Sequence, residues 1–250
     1  MRTLERKSGS FMIIMYASDV RMQELEVLFM STTFTTTQLA QALAITEADT
    51  LDLLREFGFA PTDGMLSFAK TEEFLQLVQD SPSLLAKRGK ANLERVADRY
   101  TLVFDTCALL HDRFPDLFER LLPLLRSSGK RIVIPSKVEE ELKLLFLRKS
   151  DLRGKVGTVL NLLDGGEREG LVEVVSSGSS FGDQQILTLV MELRTKEEPL
   201  VVTFDRALSE DLLRMNAVGS VAGRNVAVSR ISLYGYLSRY NPKVQVQCCA

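Results

Sequence analysis

The sequence predicts an α/β protein of three layers, α/β/α, built on a central parallel sheet, with a small, mainly helical unit in front of it. Three observations lead there. From about residue 100 onward, short apolar runs alternate with helical patterns, as in a parallel sheet covered on both faces. The first eighty residues lack that alternation and read as short amphipathic helices. The formal charge also reverses, from about −7 over residues 20–80 to about +6 over residues 84–155.

In the front unit, Arg21 to Met30 is expected to be a helix. Thr36 or Thr37 can cap a second helix that runs to Leu43. A third starts at Thr46, with Glu47 and Asp49 in a first turn whose dipole favours acids. Leu39, Leu43, Leu51, Leu54 and Phe57 recur at helical spacing and should face a small core. Pro61-Thr62-Asp63-Gly64 suits a turn, and Met65 to Lys70 a short strand or wing. The shape resembles a helix-turn-helix or winged-helix unit. DNA binding is disfavoured, because Glu47, Asp49, Asp52 and Glu56 outweigh Arg55 on the helix that would approach phosphates. A protein contact or self-association is the better expectation. Ser81-Pro82-Ser83 marks the boundary. The organisation is thus an interaction unit over 1–83, a basic linker helix over 84–99 that breaks at Gly89, an α/β domain over 100–242 and a tail over 243–250.

Within the α/β domain, strands are expected at 101–105, 131–135, 171–175, 200–204 and 225–231. Helices fill the gaps at 114–127, 136–149, 155–163, 183–195 and 208–215. Asp164-Gly165-Gly166 reads as a loop.

Composition narrows the function. With 31 Lys/Arg against 33 Asp/Glu, only local patches can hold nucleic acid. Cys107, Cys248 and Cys249 make no disulfide framework, which fits a reducing cytoplasm. The apolar run at residues 11–17 is short for a signal segment and is followed by Asp19 and Arg21. No stretch approaches a membrane span of about 20 apolar residues, so no membrane partner is expected. His111 is the single histidine, which excludes sites that need several. Neither a Gly-x-Ser-x-Gly elbow nor a P-loop is present.

Four acids remain to be explained. Asp105 ends the first strand of the domain; Glu141 lies on the helix after the second; Asp183 opens a helix; Asp205 follows the strand Leu200 to Phe204. Each alone has an ordinary explanation as a helix cap or a solvated side chain. Ser136 and Glu139 form a capping box, for example, which gives Glu139 a structural job. Four together at successive strand–helix junctions are hard to explain that way. Ligands of open α/β sheets bind at the carboxyl ends of the strands. Carboxylates converging there repel one another unless a cation joins them. An all-oxygen set points to Mg²⁺ or Mn²⁺ and to phosphodiester chemistry. Thr106 can orient Asp105, and Thr203 shares a side of its strand with Asp205 and can bond a metal ligand or a phosphate.

These motifs carry a resemblance. VFDTCALL, PSKVEEEL, DQQIL and TFDRAL, in that order, resemble the four motifs of the PIN-domain nucleases, over about residues 100–241. The family includes metal-dependent ribonucleases among bacterial toxins and RNA-processing factors. The resemblance implies a PIN-like fold and selects Glu141 over its neighbours. It implies that Asp105, Glu141, Asp183 and Asp205 hold one or two Mg²⁺ or Mn²⁺ ions, and that RNA is cleaved to 5′-phosphate and 3′-hydroxyl ends. Arg148, Lys149, Arg153, Lys155 and Arg206 are the candidates to hold the RNA backbone. One departure stands out: the family usually has Asn after Asp-Thr, where this chain has Cys107. A thiol there could loosen the site or make it sensitive to oxidation. The alternatives are a PIN-like scaffold without catalysis, a structure-specific DNA nuclease, and a response-regulator-like receiver. The receiver lacks its paired acids and its lysine. The front unit lies outside the resemblance. An antitoxin, another protein or a second copy could bind it, or its acidic face could compete with RNA for the basic segment after Leu84.

Overall fold

The computed structural model describes residues 33–43, 45–176, 182–217, 224–232 and 234–240. The expected helix Arg21–Met30, the apolar run at 11–17 and the Cys248-Cys249 pair lie outside the described residues.

The large unit is a three-layer α/β/α sandwich. Its strands are β3 (Tyr100–Phe104), β4 (Ile132–Pro135), β5 (Val172–Val175), β6 (Glu198–Val202), β7 (Ala227–Ile231) and β8 (Leu237–Arg239). They form one sheet in the order β5-β4-β3-β6-β7-β8, parallel except for the antiparallel β7–β8 pair. The helices are α4 (Pro82–Arg99), α5 (Thr106–Leu109), α6 (Phe114–Ser128), α7 (Ser136–Arg148), α8 (Arg153–Arg168), α9 (Gly182–Leu193) and α10 (Arg206–Arg214). β3 connects onward to β4 on one side, while β6 connects to β7 on the other. The order therefore reverses between β3 and β6, and the crevice at their carboxyl ends is where such sheets bind ligands.

The core follows from the sequence pattern. Leu102, Val103 and Phe104 are fully buried, as are Ile132, Val133 and Ile134. Two-sided burial explains why these strands read as continuous apolar runs. α6 buries Phe114, Leu117, Phe118, Leu121 and Leu125, one stripe at helical spacing, and stops at Gly129 in the left-handed region at φ 68°.

The front unit is mainly helical, with a two-stranded antiparallel ribbon of β1 (Thr33–Thr35) and β2 (Met65–Ser67). Its helices are α1 (Thr36–Leu43), α2 (Glu47–Glu56) and α3 (Phe68–Asp80). It has its own apolar cluster of Phe34, Leu39, Leu43, Ile45, Leu53, Leu54, Phe59, Leu66, Phe74 and Val78. Leu53 takes the core place expected of Leu51, which is only half-buried. α4 runs along both clusters, with Leu84 against the small one and Leu93, Val96 and Ala97 in the large one. Hydrogen bonds between Gln41 and the backbone at Arg239, and between Ser238 and the carbonyl of Gln41, fasten the front unit to β8.

Several expectations are corrected. α1 is capped by Thr35 rather than Thr36 or Thr37: its hydroxyl accepts from Gln38 N, and the Gln38 side chain accepts from Thr35 N. Thr36 and Thr37 instead donate to Glu47. The Ser136–Glu139 capping box does not form. Pro135 precedes the helix, Ser136 is its first residue, and Glu139 pairs with Lys143 at 2.6 Å. Asp164-Gly165-Gly166 is helical, inside α8. Gly166 packs where a side chain would strike Val172 and Phe118, so its bareness serves close packing rather than a turn.

Gly89 does not break α4 either. Its bare Cα receives the ring of Tyr236, and an added Cβ would lie 2.7 Å from ring atoms. Tyr236 in turn carries the Arg120 guanidinium 4.6 Å above its ring. Gly89→Val is expected to destabilise the protein by about 1–3 kcal/mol, through displacement of that ring. Thermal melting checks this; an unchanged midpoint would mean the helix and ring part freely.

β6 ends two residues earlier than expected, because its partner β3 ends at Phe104, opposite Val202. Thr203 keeps one backbone bond, its N donating to Ser229 O at 3.1 Å, and Phe204 and Asp205 follow at the carboxyl edge of the sheet. β1 and β8, three residues each, have too little pattern to be read from sequence.

Candidate active site

Asp105 follows β3 and caps α5, its Oδ1 accepting from Thr106 N at 2.7 Å. Its other oxygen, Oδ2, accepts from the Thr203 hydroxyl at 2.8 Å and from the Cys107 thiol at 2.9 Å. Asp205 caps α10, its Oδ1 accepting from Leu208 N at 2.9 Å. The Thr203 hydroxyl accepts from Asp205 N at 3.0 Å, so one fully buried threonine holds both strand-end acids. The capping roles are real, and they use one oxygen of each carboxylate.

Glu141 lies one turn and a half into α7. Its Oε2 accepts from the Thr106 hydroxyl at 2.6 Å. The expectation that this hydroxyl orients Asp105 is thereby corrected: Thr106 serves Asp105 through its backbone N–H and Glu141 through its side chain. Asp183, in the first turn of α9, shares an open cleft with Glu141, lined also by Lys137, Glu140, Leu144, Gly182 and Gln184.

The electrostatics tie the fourth acid to the others. Asp183 has its pKa raised, first by desolvation and then by the charges of Asp105, Asp205, Glu141 and Asp211. Asp211, on α10, is an addition to the set; beside Glu210 and paired with Arg214, it reads in the sequence as an ordinary acid of a solvated helix face. Among the described residues none of the four strand-end acids is in an ion pair. A raised carboxylate pKa means the charged form is penalised in the folded state. That penalty is absent below the ordinary value of 3.8 and complete above the raised value. Asp183→Asn should therefore stabilise the protein at pH 7, by about one or two degrees given the exposure of the group. The gain should vanish in melts below pH 3.8. A loss of stability at pH 7 would contradict the repulsion.

Cys107 replaces the expected looseness with support. Its sulfur donates to Asp105 and accepts from Phe204 N at 3.1 Å, joining the loop after β6 to the acid after β3. Burial of the sulfur, then the charge of Asp105 and the bond to it, push the thiol up to about 11. The residue as a whole is exposed, but its sulfur faces this cluster. That shift disfavours the thiolate, the form that oxidises most readily.

Gln185 was missed in the sequence. It is buried, and its Oε1 accepts from Lys137 N at 2.9 Å while its Nε2 donates to Ser136 Oγ at 3.1 Å. It thus satisfies the start of α7 and fixes α9 against it, setting Asp183 beside Glu141. The available signal was a polar residue in the apolar stripe with Ile186 and Leu189.

Four of the five candidate backbone-holding residues lie at the junction of α7 and α8, and Arg206 opens α10. Arg206 pairs with Glu210 at 2.9 Å. Lys155 pairs with Asp112, which draws the start of α8 to the loop after α5. Arg153 donates to Phe146 O at 3.2 Å and lies over the Phe146 ring. Arg148 and Lys149 are exposed at the end of α7.

All ligand atoms offered by the strand-end acids and threonines are hard oxygens, which suits Mg²⁺ or Mn²⁺ in chemistry. Among the described residues, no three acids already stand in a chelating arrangement. Glu141, Asp183 and Asp205 are exposed and Asp105 is half-buried; threonine hydroxyls hold Asp105 and Glu141, and the cap of α10 holds Asp205. No helix of the described residues is long and apolar enough to cross a membrane.

No protein-family model matches this chain, and no curated protein does. Among solved structures, the PIN domain endonuclease Utp24 superposes on 57% of this chain and 92% of its own, with a TM-score of 0.39 and 18% identity. That likeness is too distant to bear on function.

Proposed function

We propose that the chain is a Mg²⁺- or Mn²⁺-dependent endoribonuclease that hydrolyses RNA phosphodiester bonds at Asp105, Glu141, Asp183 and Asp205. One observation carries this reading: buried hydroxyls hold Asp105 and Glu141 at the switch point of the sheet, the charges of Asp105, Asp205 and Glu141 raise the pKa of Asp183, and among the described residues none of the four acids has an ion-pair partner. Such repulsion is costly to maintain in a merely structural cap. When bound, the ion supplies Lewis acidity and a water of lowered pKa. The chain's own part is positional. Thr203 and Cys107 fix Asp105, Thr106 fixes Glu141, and Gln185 sets the helix of Asp183 against that of Glu141. Arg148, Lys149, Arg153, Lys155 and Arg206 are the residues proposed to meet the RNA backbone.

The front unit, divided from the rest at residue 83 and the linker 84–99, is proposed to bind a protein partner or a second copy. Its acidic helix α2 already meets the basic α4, with Arg88 3.6 Å from Glu56 and 4.0 Å from Asp49. Light scattering of the full chain distinguishes self-association from a separate partner.

The test of the main reading is cleavage of labelled single-stranded RNA and DNA with Mn²⁺, Mg²⁺ or EDTA, with Mn²⁺ binding followed by calorimetry. Metal-dependent cleavage of RNA is expected. Cleavage of DNA alone would support a structure-specific DNA nuclease. Neither cleavage nor Mn²⁺ binding would leave a non-catalytic RNA-binding scaffold.

A further inference from the structure

We infer that His111 and Phe204 form a nucleobase-stacking platform beside the carboxylates, which takes a base of the single-stranded substrate next to the scissile phosphate. This rests on the nuclease reading above and deepens it by naming what the site grips.

The two rings lie 4.9 Å apart and within 5° of parallel. The other aromatic pairs among the described residues are tilted by 38–73°, as packed core rings usually are. The one parallel pair is thus the one at the carboxyl edge of the sheet. Both rings are half-buried: Phe204 packs against the large core, and part of each ring remains open to solvent.

The platform is rigidly linked to the acids. Phe204 stands between Thr203 and Asp205, and its N–H donates to the Cys107 sulfur that bonds Asp105. His111 follows α5 and is oriented by Arg113 N, which donates to its Nδ1 at 3.2 Å. Cationic charge is near: the Arg230 guanidinium is 6.0 Å from the centre of the Phe204 ring and 4.9 Å from that of Tyr240. Flat rings with a guanidinium beside them are what unstacked bases bind, by stacking and with little regard for sequence. The chemical class of the ligand is therefore a single-stranded nucleic acid with unpaired bases.

The test uses full-length protein in EDTA and an RNA oligomer with 2-aminopurine at successive positions. The chain has no tryptophan to complicate the fluorescence. Quenching is expected at one or two positions, lost in His111→Ala and kept in His111→Tyr and in Asp105→Asn. Replacing the quenched base by an abasic site should weaken binding roughly tenfold in the wild type and hardly at all in His111→Ala. Uniform quenching along the oligomer, none at all, or an unchanged signal in His111→Ala overturns the platform, whatever the cleavage assay shows. Should His111→Ala fail to fold, the abasic series and His111→Tyr still decide the matter. Position-specific quenching by a protein that cleaves nothing would keep the platform and remove the catalytic reading.

Discussion

Asp105→Asn should lower metal-dependent RNA cleavage by on the order of 10²–10³-fold while leaving the fold intact. The asparagine oxygen can still accept from Thr106 N and cap α5, so the local helix start is kept. What is lost is one negative charge at the centre of the site and the Oδ2 acceptor that faces Thr203 and Cys107. Two effects on stability oppose each other. The amide group meets two donors, which costs, while the repulsion felt by Asp183 is relieved, which gains. The melting temperature should change by only a few degrees. Glu141→Gln should behave alike, since Thr106 can still donate to the amide oxygen. Cleavage by Asp105→Asn at the wild-type rate, on the same RNA and with the same ion, would remove Asp105 from the chemistry and with it the proposed site.

Thr203→Val should reduce both activity and stability, and the pair of effects identifies it as a positioning residue. Valine fills the same volume but offers no hydroxyl. Asp105 Oδ2 loses a donor, and the part-buried Asp205 N–H loses its acceptor on the fully buried Thr203. An unsatisfied buried group of this kind costs about 1–3 kcal/mol. For a chain of this length the midpoint of thermal unfolding should fall by roughly 3–10 °C. Loss of a partner that orients a metal ligand typically costs about 10–100-fold in metal affinity or activity. Thr203→Ser restores the hydroxyl and should recover most of the activity. If Thr203→Ser and Thr203→Val lose activity equally, the methyl packing matters and the hydroxyl does not.

The sequence alone determined the α/β class, because two-sided burial turns strands such as Leu102–Phe104 and Ile132–Ile134 into continuous apolar runs. It also determined which acids stand at strand ends, since these runs stop abruptly at Asp105 and near Asp205. The helix α6 and the Thr46 start of α2 were legible for the same reason: their physics is local. Tertiary structure alone decided the strand order that brings β3 beside β6, and hence Asp105 beside Thr203. It decided that Gly89 and Gly166 sit inside helices, because the reason for each glycine is a side chain outside its own helix, Tyr236 for one and Val172 with Phe118 for the other. It gave Cys107 its role, since a thiol's bonding depends on what faces it, here Asp105 and Phe204. It likewise gave Gln185 its task at the start of α7, and stacked His111 on Phe204. Most of these contacts join residues separated by tens of positions, such as Asp105 and Thr203, Gly89 and Tyr236, Cys107 and Phe204, or His111 and Phe204. Their energy depends on distance in space, which composition and periodicity along the chain do not encode.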